Sequence, residues 1–594
     1  MNARRTILAL SFVLAPTEAR AQFNDAWIGF AKDASRLQAG VISDADHETD
    51  LAWGDLDQNG FVDLVVVRKQ PFTSPGKRSN VLLMNSAGVL TDTTSTDAAA
   101  SDIGGDQGFL TPTNDRDVVI ADVDQDGWLD VCTATTISDG DPKHIGHPRI
   151  YRNLAGSWSG LRHEDARFPQ LLHYGTGFPE NPRFCSVSAG DVTGDGYPDL
   201  FFGDYDSSGA GGAQQPANKD LNDRLLVNDG SGFFSDQSLT RMTGPMLDSA
   251  FSMSNVMADL NQDGRLDVIK DTALNPPQHV AVAYNDLIGN GVGTFDHYQV
   301  VHDFEPYHLS VGDLNDDGRP DLVVTDDGDD RYRFHTGLDG LGRATFGPAK
   351  TFDHVSDGDE GFGGNNLIAD LDGDGFDDVI ITDKDVDIAN MGSRTHIYHN
   401  RGQPGQQGNL DLVLREERQD QSNVGWVGAP GITGPDLVDT HDAAVFDLEN
   451  DGDLDLILSR IGGTDVYVQG PVTPSLCQPN LGYQNGNTYL SVCGGDLSTG
   501  NPATLELQNI PFFAQVYLFV GTGTNPTYVP ELSSTLVTFP LAAMIPITSF
   551  GVFDLHVPVP AGFSGLSVTV QAATILTFNP LVYDVSNAVR IDWP

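Results

Sequence analysis

Between residues 55 and 455 one nine-residue pattern recurs seven times: an acidic residue, a spacer, an oxygen-bearing residue, a spacer, Asp or Asn, Gly, two further residues and Asp. The copies begin at Asp55, Asp122, Asp191, Asp259, Asp313, Asp370 and Asp447, and read DLDQNGFVD, DVDQDGWLD, DVTGDGYPD, DLNQDGRLD, DLNDDGRPD, DLDGDGFDD and DLENDGDLD. A self-similar period of this kind means one structural unit built repeatedly and packed against its own copies.

Oxygen donors at alternate positions of a tight loop, completed by one backbone carbonyl, suit calcium, a hard cation that takes roughly six to eight oxygen ligands. Glycine at the sixth position permits the sharp turn. In this register the first ligand set is Asp55, Asp57, Asn59 and Asp63 with the carbonyl of Phe61, and the second is Asp122, Asp124, Asp126 and Asp130 with Trp128. The third and fourth are Asp191, Thr193, Asp195 and Asp199 with Tyr197, and Asp259, Asn261, Asp263 and Asp267 with Arg265. The fifth and sixth are Asp313, Asn315, Asp317 and Asp321 with Arg319, and Asp370, Asp372, Asp374 and Asp378 with Phe376. The seventh is Asp447, Glu449, Asp451 and Asp455 with the carbonyl of Asp453. An EF-hand loop begins similarly, but its last ligand is a Glu at the twelfth position leading into a helix. Here the last acid is the ninth residue and short apolar, often β-branched runs follow (LVVV, VCTA, LFFG, VIKD, LVVT, VIIT, LILS), which read as strands.

The copies lie roughly 65 residues apart on average, a length that fits a four-stranded propeller blade with long loops. Each loop is preceded by a strand that ends in a small residue, as in LAWGD and LSVGD, with Phe446 the exception. A third strand ends in Asn or a glycine turn (NVLLMN, RIYRN, RLLVND, VAVAYND, YRFHTG, HIYHN, DVYVQG), and a fourth follows that turn. The seventh unit runs instead into QGPVTPS, so its fourth strand is expected from Trp27 to Ser35 at the other end of the chain. Closure by the N-terminus removes the exposed sheet edges of an open ring.

These loops and strands resemble FG-GAP and VCBS repeats, the modules of the seven-bladed head of integrin alpha subunits and of many bacterial exported proteins. The resemblance covers about three quarters of the chain. It implies an all-β, seven-bladed β-propeller holding up to seven Ca2+ ions. Thr193, Asn261 and Asn315 replace a carboxylate and Glu449 is longer than Asp, so those four loops are expected to bind calcium more weakly. A propeller hosts many functions, so the resemblance transfers no particular ligand or activity.

The N-terminus pairs Arg4 and Arg5 with an apolar run from Ile7 to Ala15 and a small-residue site at Ala19-Arg20-Ala21, the pattern of a secretory signal peptide cleaved after Ala21. The expected division is a signal peptide over 1–21, the propeller over 22–472 and a C-terminal β-sandwich over 473–594. From Ser475 onward there are only seven charged residues and no lysine, with Val, Thr, Phe and Pro in short alternating runs. Its segments around Cys477 to Gly500 and at the closing SNAVRIDW resemble a C-terminal module of large exported bacterial proteins. No stretch is long and apolar enough to span a bilayer. The expected product is secreted or held at the cell surface, and monomeric. A net charge of −50 argues against nucleic acid or anionic lipid as partner, since both require basic surface.

Other motifs read as structure. His144-Ile145-Gly146-His147 spells a nucleotidyl-transfer string but lacks the strand-to-helix context, and the GNGVG at 289–293 is a turn with no helix to present to a phosphate. The residues five before each first Asp are Asp50, Asp117, Ser186, Ser254, His308, Asn365 and Asp442, all polar. They lie on the face opposite the calcium loops, and because the seventh, first and second units are neighbours in a closed ring, Asp442, Asp50 and Asp117 are expected to converge there, with His441 and His47 nearby. They form either a cation or polar-ligand site, around Asp50, Asp117, His308, His441 and Asp442, or strand entries meeting solvent. Two classes of function follow. The favoured one is an extracellular binding or adhesion module for a glycan or protein, which needs only a rigid ring with variable loops. The other is a carbohydrate-active enzyme of polysaccharide lyase or sugar dehydratase type. No spacing among the histidines or lysines demands an active site, so no catalytic residue is assigned. Cys477 and Cys493 bracket a short turn and are expected to pair in an oxidising compartment, whereas Cys132 and Cys185 lie at different heights along their strands and are not.

Overall fold

The computed structural model describes residues 27–38, 48–69, 76–156, 158–206, 222–249, 251–273, 277–354, 363–383, 394–400, 402, 407–418, 427–429, 431–432, 437–438, 440–460 and 463–469. In the C-terminal part it describes 489–493, 502–508, 515–522, 527–529, 534–536, 538, 541–548, 553–558, 567–578 and 581–592. The expected signal peptide over 1–21, His47 and Cys477 lie outside these residues.

The chain is all-β and its sheets are mostly antiparallel. Each acidic loop joins two paired strands: Glu48–Gly54 to Asp63–Lys69, Asp115–Ala121 to Asp130–Thr135, Phe184–Gly190 to Asp199–Asp204, and Asn255–Ala258 to Asp267–Thr272. The later pairs are Pro306–Gly312 with Asp321–Asp326, Gly363–Ala369 with Asp378–Asp383, and Thr440–Phe446 with Asp455–Arg460. Every apolar run after a loop is therefore a strand, as the sequence predicts. A third strand pairs with the second in all seven sheets, and the third ends at Asn85, Asn153, Asn228, Asn285, Arg333, Asn400 or Gln469.

The fourth position of the last sheet is filled from the other end of the chain. Phe30–Lys32 pairs antiparallel with Gly463–Gln469, in the register Phe30 to Gln469 and Lys32 to Tyr467. A few residues on, Leu37–Gln38 pairs in parallel with Leu90–Asp92 of the first sheet. One N-terminal segment thus stitches the last sheet to the first and covers both edges. The fifth sheet departs from the simple repeat, because a separate hairpin, His335–Leu338 with Ala344–Phe346, intervenes before its fourth strand at Lys350–Thr351.

Packing between the sheets is cyclic. Each first strand touches the first strand of the next sheet, and Thr440–Phe446 returns to Glu48–Gly54. Seven apolar cores sit one at each junction. The core between the last and first sheets joins Leu51, Leu64 and Val66 to Phe446, Leu448 and Ile457, and the next joins Val65 and Leu82 to Val118 and Val131. A fully buried Val, Leu or Ile contributes about 1.5–3 kcal/mol, so these interfaces, more than the loops, hold the sheets together. The small residues closing the first strands answer to the same crowding. A Cβ on Gly190 would stand 2.6 Å from Leu266 Cδ1, and one on Gly312 2.8 Å from Ile368 Cγ2, both on the following sheet.

In the C-terminal part, Pro502–Gln508 lies between Tyr489–Cys493 and Phe553–Pro558, while Gln515–Gly521 lies between Leu541–Thr548 and Ser567–Phe578, with Leu581–Asp592 at the edge. Leu490 of the first sheet shares a core with Val516, Leu518, Val570, Val589 and Ile591 of the second.

Candidate functional site

All seven acidic loops have one geometry. The first Asp accepts backbone N–H bonds from the fifth and sixth residues on its two oxygens, at 2.6 to 3.1 Å in every copy. The sixth-position glycines have φ between 79° and 101°, a conformation that favours glycine. The fifth residue accepts from the N–H of the seventh, turning that peptide so that its carbonyl is available, as at Phe61, Trp128 and Tyr197. Carboxylates at the first, third and ninth positions lie within 4.8 Å of one another in three loops: Asp55, Asp57 and Asp63; Asp122, Asp124 and Asp130; Asp370, Asp372 and Asp378.

The ninth-position acids bind their own framework. One oxygen of Asp63, Asp130, Asp321, Asp378 and Asp455 accepts the N–H of the second loop residue, and in the third loop Asp199 takes that of Thr193. The other oxygen accepts the N–H of Asn85, Asn153, Asn228, Asn285, His335, Asn400 or Gln469, at 2.7 to 2.9 Å. Burial, reinforced by the facing loop acids, pushes these carboxyls up, to about 7 at Asp63 and Asp130 and to about 8 at Asp267, Asp321 and Asp455.

The residues bonded to the ninth-position acids also tie neighbouring sheets together. The side-chain amide of Asn85 donates to Leu448 O, Asn153 to Leu56 O, Asn228 to Val123 O, Asn285 to Val192 O, Asn400 to Leu314 O and Gln469 to Leu371 O. Each acceptor lies in the loop of the preceding sheet. His335 stands at the corresponding place in the fifth sheet, and its Nε2–H donates within its own turn, to Gly337 O.

On the opposite face, the polar residues that begin the first strands line a cavity of about 230 Å³. Asp50, Asp117, Ser254, His308, Asn365, His441 and Asp442 all reach it, together with Arg116, Trp53 and Cys185. Ser186 does not line it, because its hydroxyl donates to Ser252 O and accepts from Asn255 Nδ2. Three of these groups span to the next sheet. Asp442 accepts the N–H of Leu51 at 2.9 Å and Asp117 that of Val187 at 2.6 Å, while Ser254 donates to Leu309 O. Asn365 Nδ2 lies 3.3 Å from Asp50 Oδ1. Burial, with the charge of Asp117, raises Asp50 to about 8. Burial raises Asp117 to about 6, and burial together with Asp50 lifts Asp442 well above the usual carboxylate range. Strand bulges at 115/117, 306/308 and 440/442 fall at Asp117, His308 and Asp442, whereas Asp50 lies on a regularly paired strand.

Residues 122–202 and 191–269, which span the second to fourth loops, match the FG-GAP-like repeat. The chain carries FG-GAP-like repeats. A search of the curated proteins finds no match.

The acidic loops offer donors that fit a hard divalent cation. Asp124 Oδ1, Thr193 Oγ1, Asn315 Oδ1 and Glu449 Oε2, the third-position oxygens of four loops, are buried without a hydrogen-bond partner. A buried polar atom left unpaired is costly, and a cation at the loop centre would satisfy it. Some loops carry a side-chain cation of their own. Arg152 bonds Asp124 and Asp126 at 2.7 and 2.9 Å, Arg265 bonds Asp263 at 2.6 Å, Arg319 bonds Asp317, and Arg36 pairs with Glu449 at 2.6 Å. Sequence reasoning missed both these arginines and the asparagine ties. The only signal for the ties was the Asn that ends five of the seven third strands, which reads equally well as a turn residue. The HIGH string forms a single turn, Lys143–Gly146, with buried His147 accepting the N–H of Leu171, in keeping with a structural role.

Proposed function

We propose that the chain is an exported, calcium-stabilised, seven-bladed propeller that acts as an extracellular binding module for a glycan or protein. The observation that carries this reading is the cyclic contact of seven first strands around one polar cavity, with an acidic loop on each sheet at the far end of those strands. In this reading residues 22–472 form the propeller, 473–594 a β-sandwich and 1–21 the signal peptide, and calcium has a structural role in the loops. Asp55, Asp57, Asn59 and Asp63 with the carbonyl of Phe61, and their counterparts, would hold it. The bound ion supplies positive charge among acids that otherwise repel one another.

Ligand recognition belongs on the face around Asp50, Asp117, His308, His441 and Asp442, because connections there vary without breaking a sheet. The bonds that Asp117 and Asp442 accept from the N–H groups of Val187 and Leu51 on neighbouring strands support a fixed shape for that face. A binding site so preorganised loses little conformational entropy on capture. The experiment is an array of glycans and extracellular proteins, probed with calcium and again with chelator. Calcium-dependent capture that is lost when Asp50, Asp117 and Asp442 are all replaced by Asn, with folding retained, is the expected outcome. Capture unchanged by that triple replacement would return these acids to a purely structural role.

A further inference from the structure

The sixth acidic loop differs from the others in having an imidazole beside its carboxylates. His399, the residue before Asn400, places Nε2 3.7 Å from Asp372 Oδ2, and Asp372, Asp374 and His399 offer ligand atoms that all lie within 4.8 Å of one another. Two further contacts fix the ring. Its Nδ1 lies 3.3 Å from Glu417 Oε1 on the neighbouring strand, and its face stacks on Trp27 at 4.3 Å with the planes 6° apart. The Trp27 indole is itself anchored, donating to Gly428 O at 2.9 Å.

The second sheet shows what this position is for. Arg152, which likewise precedes the strand-ending Asn153, reaches the same two loop positions and bonds Asp124 and Asp126. A side chain there therefore aims at the third and fifth residues of its own loop. In the second sheet it brings a permanent cation, and in the sixth it brings a nitrogen donor. With Nδ1–H directed at Glu417, the Nε2 lone pair faces Asp372 and Asp374. A carboxylate behind an imidazole is the usual way a metal-binding histidine is oriented and made more basic. Imidazole with carboxylates suits divalent transition ions, whereas calcium selects oxygen alone.

We propose that Asp372, Asp374 and His399 form a site for a divalent cation of the zinc class, whose metal preference differs from that of the all-oxygen loops. This inference rests on the reading of the loops as divalent-cation sites. The test is calorimetric titration of Zn2+ into the full chain held in millimolar Ca2+, for the wild type and for His399→Gln and Glu417→Gln, with calcium binding measured on the same preparations. The wild type is expected to take up zinc in the presence of calcium. His399→Gln should lose that uptake and Glu417→Gln should weaken it about tenfold or more, with calcium binding at the other loops unchanged. Because Gln keeps a polar side chain of similar size at both positions, circular dichroism that matches the wild type secures the comparison. Absent zinc uptake, or equal uptake by wild type and His399→Gln, overturns the proposal. A chain that takes up calcium but no zinc refutes this inference alone, and one that takes up neither refutes the loop reading with it.

Discussion

The side-chain amide of Asn85 donates to the carbonyl of Leu448 at 3.0 Å, joining the first sheet to the loop of the last across 363 residues of chain. The same amide donates to Val62 O, and its oxygen accepts the N–H of Gly88. Asn85→Ala strands all three partners at a buried site, which at about 1 kcal/mol per lost bond and more for groups left unsatisfied amounts to roughly 2–4 kcal/mol. Urea denaturation in saturating calcium measures this, and a loss under about 0.5 kcal/mol would show that the tie carries no weight.

The junction between the fourth and fifth sheets has His335 where the others have Asn or Gln. Its backbone N–H still bonds Asp321, but its ring turns to Gly337 O. Among the described junctions this one should therefore open first. Native-state amide exchange is expected to show lower protection at Leu309 and Leu322 than at Leu51 and Leu64, and uniform protection across the junctions would contradict it.

Removal of calcium should lower the melting temperature sharply. At ~1 mM calcium and a dissociation constant of ~0.1 mM, each occupied loop adds about 1.4 kcal/mol by mass action. The loops with an internal arginine, such as the second with Arg152, begin partly neutralised and should gain less from the ion. Arg152→Gln is therefore expected to tighten calcium binding while lowering the stability of the calcium-free protein. Melting curves that coincide with and without excess chelator would exclude a stabilising role for the ion.

The acids of the cavity have a pH signature of their own. Burial, joined at Asp50 by the charge of Asp117 and at Asp442 by Asp50, holds Asp50, Asp117 and Asp442 above the ordinary carboxylate range in the folded chain. A raised folded value means a contribution fully present below the unfolded value near 4, and lost as pH rises through about 6 for Asp117 and about 8 for Asp50. Asp50→Asn should accordingly stabilise the chain at pH 8 relative to wild type, do so less at pH 5, and leave it nearly unchanged below about pH 4. Thermal melts of the two at constant free calcium check this, since the comparison cancels the separate pH dependence of calcium binding.

Much of this architecture is legible in the sequence because its determinants are local. A turn that needs glycine at the sixth position, acids at alternate places and an apolar run afterwards are all written within nine to fifteen residues, so the loops, the strands on either side and the closing N-terminal strand follow directly. Convergence of Asp50, Asp117 and Asp442 was also readable, from register alone. Their second task was not, because the N–H groups of Leu51 and Val187 that they accept belong to neighbouring sheets roughly 70 or 390 residues away in sequence. The extra hairpin at His335–Leu338 is local but repeats no motif of the other sheets, and the ring of His399 against its loop depends on contact between separate strands and the loop of its sheet.

Cys132 and Cys185 are both free and buried, in separate apolar clusters, as their strand positions require. Burial raises both thiols above the usual range. Neither should react with a water-soluble thiol reagent until the chain unfolds, so reaction should track unfolding in a denaturant series. Rapid labelling of the native protein would mean that one of these strands is not packed as described. The expected Cys477–Cys493 pair lies outside the described residues.

The fourth residue of every acidic loop has left-handed backbone, with φ from 50° at Asp316 to 73° at Gly373, although only Gly194 and Gly373 are glycine. The other five loops place Gln, Asp or Asn there and accept the strain, in part because the side chain forms a bond to the next loop, as Gln58 Nε2 does to Gly127 O at 2.6 Å. Gly373 separates the backbone effect from any steric one. A Cβ added to it meets nothing within 4 Å, so Gly373→Ala changes only the cost of the conformation. Left-handed backbone costs a residue with a Cβ roughly 1–2 kcal/mol, and alanine recovers about 0.4–1 kcal/mol by restricting the unfolded chain. The net expectation is a loss of about 1 kcal/mol, measured by denaturation in saturating calcium. Gly373→Asn should lose less, because Asn tolerates this region and already occupies it at Asn450, where φ is 60°. Were Gly373→Ala as stable as wild type, the fourth loop residue would not be left-handed in solution and the shared loop geometry would need revision.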